Sequence, residues 1–560
     1  MYELTESQKA RHAIREFKTI TDALALRGFY RPSGKFGKSL ENCLKNLSPE
    51  IYGSMNDHRV VELKGLEYVI DRLPQGIEAC KKIILTEETP PENSPFERIQ
   101  PLKRRRIAYR VSANEICMVI SRGLSEIYDI LTHMTFLFSE AKKIHARMKD
   151  DSDNISLEWA ELTHTVEHLH ELDDTQLDQA LWNLSIILGR SYQETKETFT
   201  SLEENRQRFG SNNGLFSLIF HLGNLIEEES ISKENALVIY LQPSLMNIIG
   251  HQRYGRVWAE DIKTRLLSMN LLKRPIHIIS ANLHSVANLL YGFAAVRKSK
   301  TLSIEKDLYG FIHQIRTIGE EIIAYGNAHG LTSMHDRSGT HIDCQIIDSA
   351  RLEGLSFHPQ ISVSLPEPDG EKPVIIVMDY AFGTQAFELM ENLLKPIKDD
   401  QRTVYLNIRS ISIMGKAGIL TGKKGDIMLA TAHVFEGTSD NYIFENDLRA
   451  PEFDGTVDVY TGPMVTVLGT SLQNRDVLRK FLEDWKTVGL EMEGGHYQRA
   501  ISAAIIKGNI SRDVVLRYAY YGSDNPLMTG HTLAAGAMGE EGVKPTYMIT
   551  KILLEKIFGK

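Results

Sequence analysis

Three stretches of the sequence hold residue types that could do chemistry together. Glu491-Met492-Glu493 runs into Gly494-Gly495, and Ser523-Asp524 runs into Asn525-Pro526-Leu527. A positioned carboxyl group can hand a proton to a leaving group. A carboxylate can also accept two hydroxyl donors at once, which an amide does less well. A helix opening near Glu493 would aim its free N–H groups at the same place. The third stretch is Gly415-Lys416-Ala417-Gly418-Ile419-Leu420, followed by Gly425-Asp426-Ile427-Met428-Leu429-Ala430. It reads as a glycine turn ahead of an apolar strand. Each stretch also has a plain structural reading. Asp and Pro favour turns, an acid at a helix start suits the dipole, Met fills cores, and Gly415 and Gly418 suit a tight turn.

Taken in chain order, glycine stretch first, then E-M-E, then S-D, the three stretches resemble the superfamily of nucleoside phosphorylases and nucleosidases. The likeness covers about residues 372–560, and the Ser523–Leu527 run looks most like AMP nucleosidase catalytic domains. The resemblance implies cleavage of the N-glycosidic bond of a purine nucleoside or nucleotide through an oxocarbenium-like sugar. It implies that Asp524 protonates the purine, Glu493 holds the ribose hydroxyls and Met492 packs on the sugar. Gly415, Lys416, Gly418 and Ser523 would line the pocket. Thr470 joins them from the stretch Met464–Ser471, where the superfamily has a strand and a polar turn. The resemblance also implies a homo-oligomer, and no cofactor or metal is expected.

Departures from the superfamily pattern favour hydrolysis over phosphorolysis. The strand Val374–Met378 leads into Asp379-Tyr380-Ala381-Phe382-Gly383-Thr384-Gln385, without the usual glycine-rich phosphate loop. Ile413 stands where those phosphorylases have an Arg, and Arg409 lies four residues earlier. Lys416 replaces a small hydroxyl residue. With phosphate disfavoured, water needs activating; Glu388 is the nearest acid on the following helix, although its register is off by a turn. Phosphorolysis and a non-catalytic purine sensor are the alternatives. Arg475 and Arg517 are further candidates, for a 5′-phosphate, and His433 and His496 for base or sugar. His164 and His168 have the spacing of a metal pair, and Lys103–Arg106 that of an anion-binding run. Solvated surface is the stronger reading of both.

The elements that must position these residues divide by texture. Residues 1–349 hold 19 glycines, and 350–560 hold 21 in a much shorter stretch. The first part reads as an all-α region, with amphipathic stretches over 57–83, 174–187, 190–209, 213–229, 254–270 and 303–329. Its clearest helix runs from about Ala113 to Met148, where Ser112 and Glu115 have capping-box spacing. The second part alternates strands and helices, which predicts an α/β mixed sheet flanked by helices. The expected division is 1–345, helical in one or two subdomains, and 346–560, phosphorylase-like.

Composition narrows the rest. At 560 residues with 42% hydrophobic and 24% charged residues, the chain is an ordinary multi-domain globular protein. A net charge of −9 argues against a nucleic-acid partner. Four scattered cysteines without CxxC spacing support neither a disulfide framework nor a zinc knuckle. The sequence has no apolar run of membrane length and no secretory leader pattern, so a cytoplasmic location is the default expectation and no membrane partner is expected.

Overall fold

In the computed structural model, residues 4–103, 106–150, 152–249, 252–299, 305–365, 370–399, 402–528 and 539–559 are described. The chain divides into two compact units. One holds Met1–His251 with Leu468–Val477, the other Gln252–Val467 with Leu478–Lys560.

The first unit is not all-α. Strands β1 (Phe29–Tyr30), β2 (Lys82–Thr86), β3 (Glu97–Ile99), β4 (Ile107–Ser112), β5 (Glu115–Val119) and β6 (Val238–Leu241) form one sheet in the order β1-β6-β2-β5-β4-β3. The helix expected from Ala113 is a hairpin turn instead, with Ser112 opposite Glu115. The S-x-x-E spacing suits a capping box and a two-residue hairpin turn alike. Here Ile116, Met118 and Val119 are buried on β5, and that strand packing decides it. Helix α1 (Leu124–His145) starts only after Gly123, whose φ of 71° few other residues tolerate. The basic run before β4 is not an anion-binding patch at its last residue. Arg106 is buried, with Nε 3.1 Å from Glu126 and Nη2 3.0 Å from Asp129. Arg104 and Arg105 lie outside the described residues. His164 and His168 stack at 4.3 Å between ring centroids, and no cluster suited to a metal ion occurs among the described residues.

The second unit begins well before residue 346. Its sheet contains β7 (Ile276–Ser280), β8 (Leu331–Met334) and β9 (Cys344–Asp348) besides β10 (Val374–Met378). Two more strands, β11 (Ile397–Asp399) and β12 (Arg402–Val404), pair as a separate hairpin. The sheet is completed by β13 (Ile408–Ile419), β14 (Ile427–Phe435), β15 (Asn441–Ile443), β16 (Val459–Thr466), β17 (Gly489–Glu491) and β18 (Val515–Asp524). Among the described residues it has ten strands. Strand β7 lies between β10 and β13, parallel to both. Val374–Met378 is therefore not the opening strand of the α/β unit. Five isoleucine-rich residues inside a helical neighbourhood are too short a signal to override helical periodicity.

The long β13 joins two parts of this sheet. It pairs with β18, which pairs with β14, which pairs with β16, then β17, which returns to β13. These five pairings close a small barrel. A side chain on Gly489 would meet the Met428 sulfur and the Gly418 carbonyl, the latter at 2.6 Å, so the barrel closes tightly there.

Helices cover both faces. On one side pack α2 (Arg253–Ser268), α4 (Gln385–Leu394) and α5 (Gly494–Ile506), on the other α3 (Leu283–Ser299) and α6 (Glu540–Phe558). Alternate β13 residues feed the two cores: Ile411, Ile413, Ala417 and Ile419 face the first, Met414 the second. No helix among the described residues is long and apolar enough to cross a membrane.

Candidate active site

Strand register brings the two acidic motifs to one place. Gly418 near the end of β13 is paired with Asp524 on one side and Leu490 on the other. Strands lie about 4.8 Å apart, so the Cα atoms of Asp524 and Leu490 are roughly 10 Å apart across Gly418. Three residues beyond Leu490, Glu493 caps α5. Its Oε1 accepts the Gly383 amide at 2.9 Å, which ties the loop after β10 to the start of α5.

Asp524 closes β18 and is buried. The Ser523 hydroxyl donates to Asp524 Oδ1 at 2.6 Å and lies 3.3 Å from the Ala417 carbonyl. Asn525 anchors the turn that follows, donating to the Gly422 carbonyl at 2.9 Å. The S-D pair is thus the end of a strand, with the turn after it.

The expected glycine turn is not a turn. Gly415 through Ile419 belong to β13, where flanking strands take their backbone groups. Gly415 faces the Tyr380 ring: a Cβ there would lie 3.5 Å from it. Tyr380 sits on the same loop as Gly383, and the backbone of Asn282, just after β7, bonds its hydroxyl. Lys416 is exposed, opposite Tyr521. Met492 is buried between the two glutamates.

Glu491 turns inward. Its Oε1 accepts the Thr466 hydroxyl at 2.6 Å and lies 3.3 Å from His433 Nδ1, while its other oxygen accepts the amides of Glu493 and Gly494. Burial alone would raise this carboxyl. The His433 pair, the Thr466 hydroxyl and the helix amides outweigh burial and hold it below its ordinary value. The glycines after E-M-E follow from close approach. A Cβ on Gly494 would collide with the Tyr520 hydroxyl and sit 2.5 Å from His433 Cε1, and one on Gly495 would meet Thr466 and Phe435.

Two expected residues lie elsewhere in the second unit. Glu388 packs against Gly255 of α2, where burial pushes its carboxyl up to about 8. Arg517 is near the other end of β18 from Asp524, bonded to Asp447 at 2.8 Å. Thr470 belongs to the first unit, its hydroxyl 3.1 Å from that of Tyr68. Arg475 is there too, 3.8 Å from Glu50. His433 is fully buried behind Glu491, so it cannot touch a ligand directly, and the His496 ring stands edge-on to Phe435. Tyr380 and Asn282 carried no sequence signal; the register of β7 and β13 places them.

Solved structures similar to this chain cover half of it. The uridine phosphorylase isoform 2 of Schistosoma mansoni, in complex with citrate, is 11% identical and covers 51% of this chain and 88% of its own, with a TM-score of 0.28. The 5′-methylthioadenosine/S-adenosyl homocysteine nucleosidase of Campylobacter jejuni is 10% identical and covers 51% of this chain and 99% of its own, with a TM-score of 0.29. The purine nucleoside phosphorylase of Toxoplasma gondii, in complex with immucillin-H, is 13% identical and covers 51% and 90%, with a TM-score of 0.27. No curated protein matches the chain. A family model described as "Family of unknown function (DUF6909)" matches residues 38–309 and 308–559, so the chain belongs to that family.

Proposed function

We propose that the second unit cleaves the N-glycosidic bond of a purine nucleoside or nucleotide, with water as the acceptor. The observation that carries this reading is the pairing of Gly418 with Asp524 on one side and Leu490 on the other. It sets one acid on each flank of a strand edge that has no side chain at Gly415 or Gly418. In this reading Glu493 takes the sugar hydroxyls, with Gly383 fixing its carboxylate. Asp524, oriented by Ser523, gives its proton to the departing base. Water then adds to the sugar cation, and the proton it sheds returns to the Asp524 carboxylate, which restores the acid. Ile413 is buried in the core, so it offers phosphate no cation, and the Tyr380 ring covers the Gly415 end of the site. Both favour water over phosphate.

The test is product analysis. Purified full-length chain is incubated with AMP, adenosine, inosine and methylthioadenosine, with and without phosphate, and products are separated by chromatography. Free base and reducing sugar without phosphate are expected. A sugar phosphate formed only with phosphate would replace hydrolysis by phosphorolysis. Thermal stabilisation by a nucleoside with no product would leave a binding module.

A further inference from the structure

We infer that Glu491 and His433 form a positioning pair that sets Glu493, an inference that rests on the sugar-binding reading of that residue. The Glu491 carboxylate is used up internally. It accepts the Thr466 hydroxyl and the amides of residues 493, 494 and 495, the last at 3.4 Å. It has no reach toward a ligand, so its work is to clamp the first turn of α5. His433 supplies the remaining contact to Oε1. Among the described residues neither ring nitrogen of His433 closes an aligned hydrogen bond, so Nδ1 meets Oε1 as a polar contact at 3.3 Å. The imidazole is itself fixed, stacked on Phe444 at 5.4 Å and edge-on to Tyr518 at 4.9 Å.

This clamp fixes the backbone at Glu493, with φ −119° and ψ −34°, and so the direction in which its side chain leaves the helix. The side chain then meets the Gly383 amide. Four strands converge on the arrangement: β14 brings His433, β16 Thr466, β17 Glu491 and β18 Tyr520, whose hydroxyl crowds Gly494. Glu491 and His433 therefore act through Glu493 and are not catalytic residues themselves.

Two variants of the full-length chain test this. His433→Phe keeps the ring packing and removes the polar contact; Glu491→Gln keeps the shape and removes the charge. Hydrogen exchange at the Gly383 amide reports on Glu493 without needing turnover. Both variants should exchange about tenfold faster there than wild type, the size of a lost bond to a charged group. KM for the nucleoside should rise about tenfold with little change in kcat. His433→Gln, whose amide can donate, should recover part of the protection. Should His433→Phe lose the fold, Glu491→Gln carries the same measurement. Unchanged exchange at Gly383 in the folded variants overturns the inference. If wild type releases no base while Gly383 exchange still rises in the variants, the glycosidase reading falls and the positioning pair stands.

Discussion

Gly494→Ala gives the sharpest test of how the site is built. Alanine in a helix normally stabilises by about 0.5–1 kcal/mol over glycine. Here the added methyl would sit 2.5 Å from His433 Cε1 and collide with the Tyr520 hydroxyl, both in the core. Carbon atoms need roughly 3.5 Å, so His433 or the helix start must move by about 1 Å. Overpacking of this kind costs about 1–3 kcal/mol, which reverses the sign expected from helix propensity. The Tyr520 hydroxyl has no hydrogen-bond partner among the described residues, so Tyr520→Phe should be close to neutral. Combined with Gly494→Ala, it should restore about 1 kcal/mol; the remaining loss belongs to His433. Denaturant midpoints at constant slope measure the four corners of this cycle. A displaced Glu493 should also raise KM for the nucleoside by about tenfold with little change in kcat, as in the Glu491 and His433 variants. Gly494→Ala as stable as wild type, or a strictly additive cycle, would refute the close approach on which the site depends.

Further predictions concern residues inside and outside the site. Asp524→Asn should lower the rate of base release by at least about a hundredfold while nucleoside binding is kept, read by single-turnover chromatography. Glu388 has its folded carboxyl raised to about 8 by burial. Its neutral form thus favours folding below the ordinary carboxylate range, and that contribution is lost as pH rises from there through about 8. Glu388→Gln should be more stable than wild type at pH 9 by about 2 kcal/mol, allowing for partial solvent access, and the difference should vanish near pH 4 in thermal melts. Arg517→Met should lose about 1–2 kcal/mol of stability by leaving Asp447 with Lys556 alone, yet leave KM for AMP unchanged. A raised KM would put the guanidinium back at the substrate phosphate.

The motifs were more legible than the frame that carries them. E-M-E and S-D were readable because acids stand beside glycines that the packing requires: Gly494 and Gly495 have no room for a side chain. The strands at 374–378 and 426–434 announced themselves as apolar runs, and β10 and β14 fall on them. Strand β7 did not, because five residues between helices carry no period of their own. The hairpin β4–β5 was hidden by a Ser and a Glu whose spacing serves a helix start as well as a turn. Gly415–Gly418 looked like a turn because glycines in a strand and in a turn read alike; only neighbouring strands tell them apart. His433, Tyr380 and Asn282 reach the site through long-range pairing, which local sequence does not encode. Arg517 and Glu388 failed for the same reason: nearness in sequence to a motif says nothing about which end of a strand, or which side of a helix, a residue occupies.

The central claim is that one nucleoside lies across the Gly418 edge between two acids. A crystal structure of the full-length chain with a bound purine nucleoside, or a non-cleavable analogue, measures this directly. The account predicts sugar hydroxyls within hydrogen-bond distance of the Glu493 carboxylate and a ring nitrogen within the same distance of Asp524. A nucleoside bound elsewhere, or one at this edge with either carboxylate turned away from it, would contradict it.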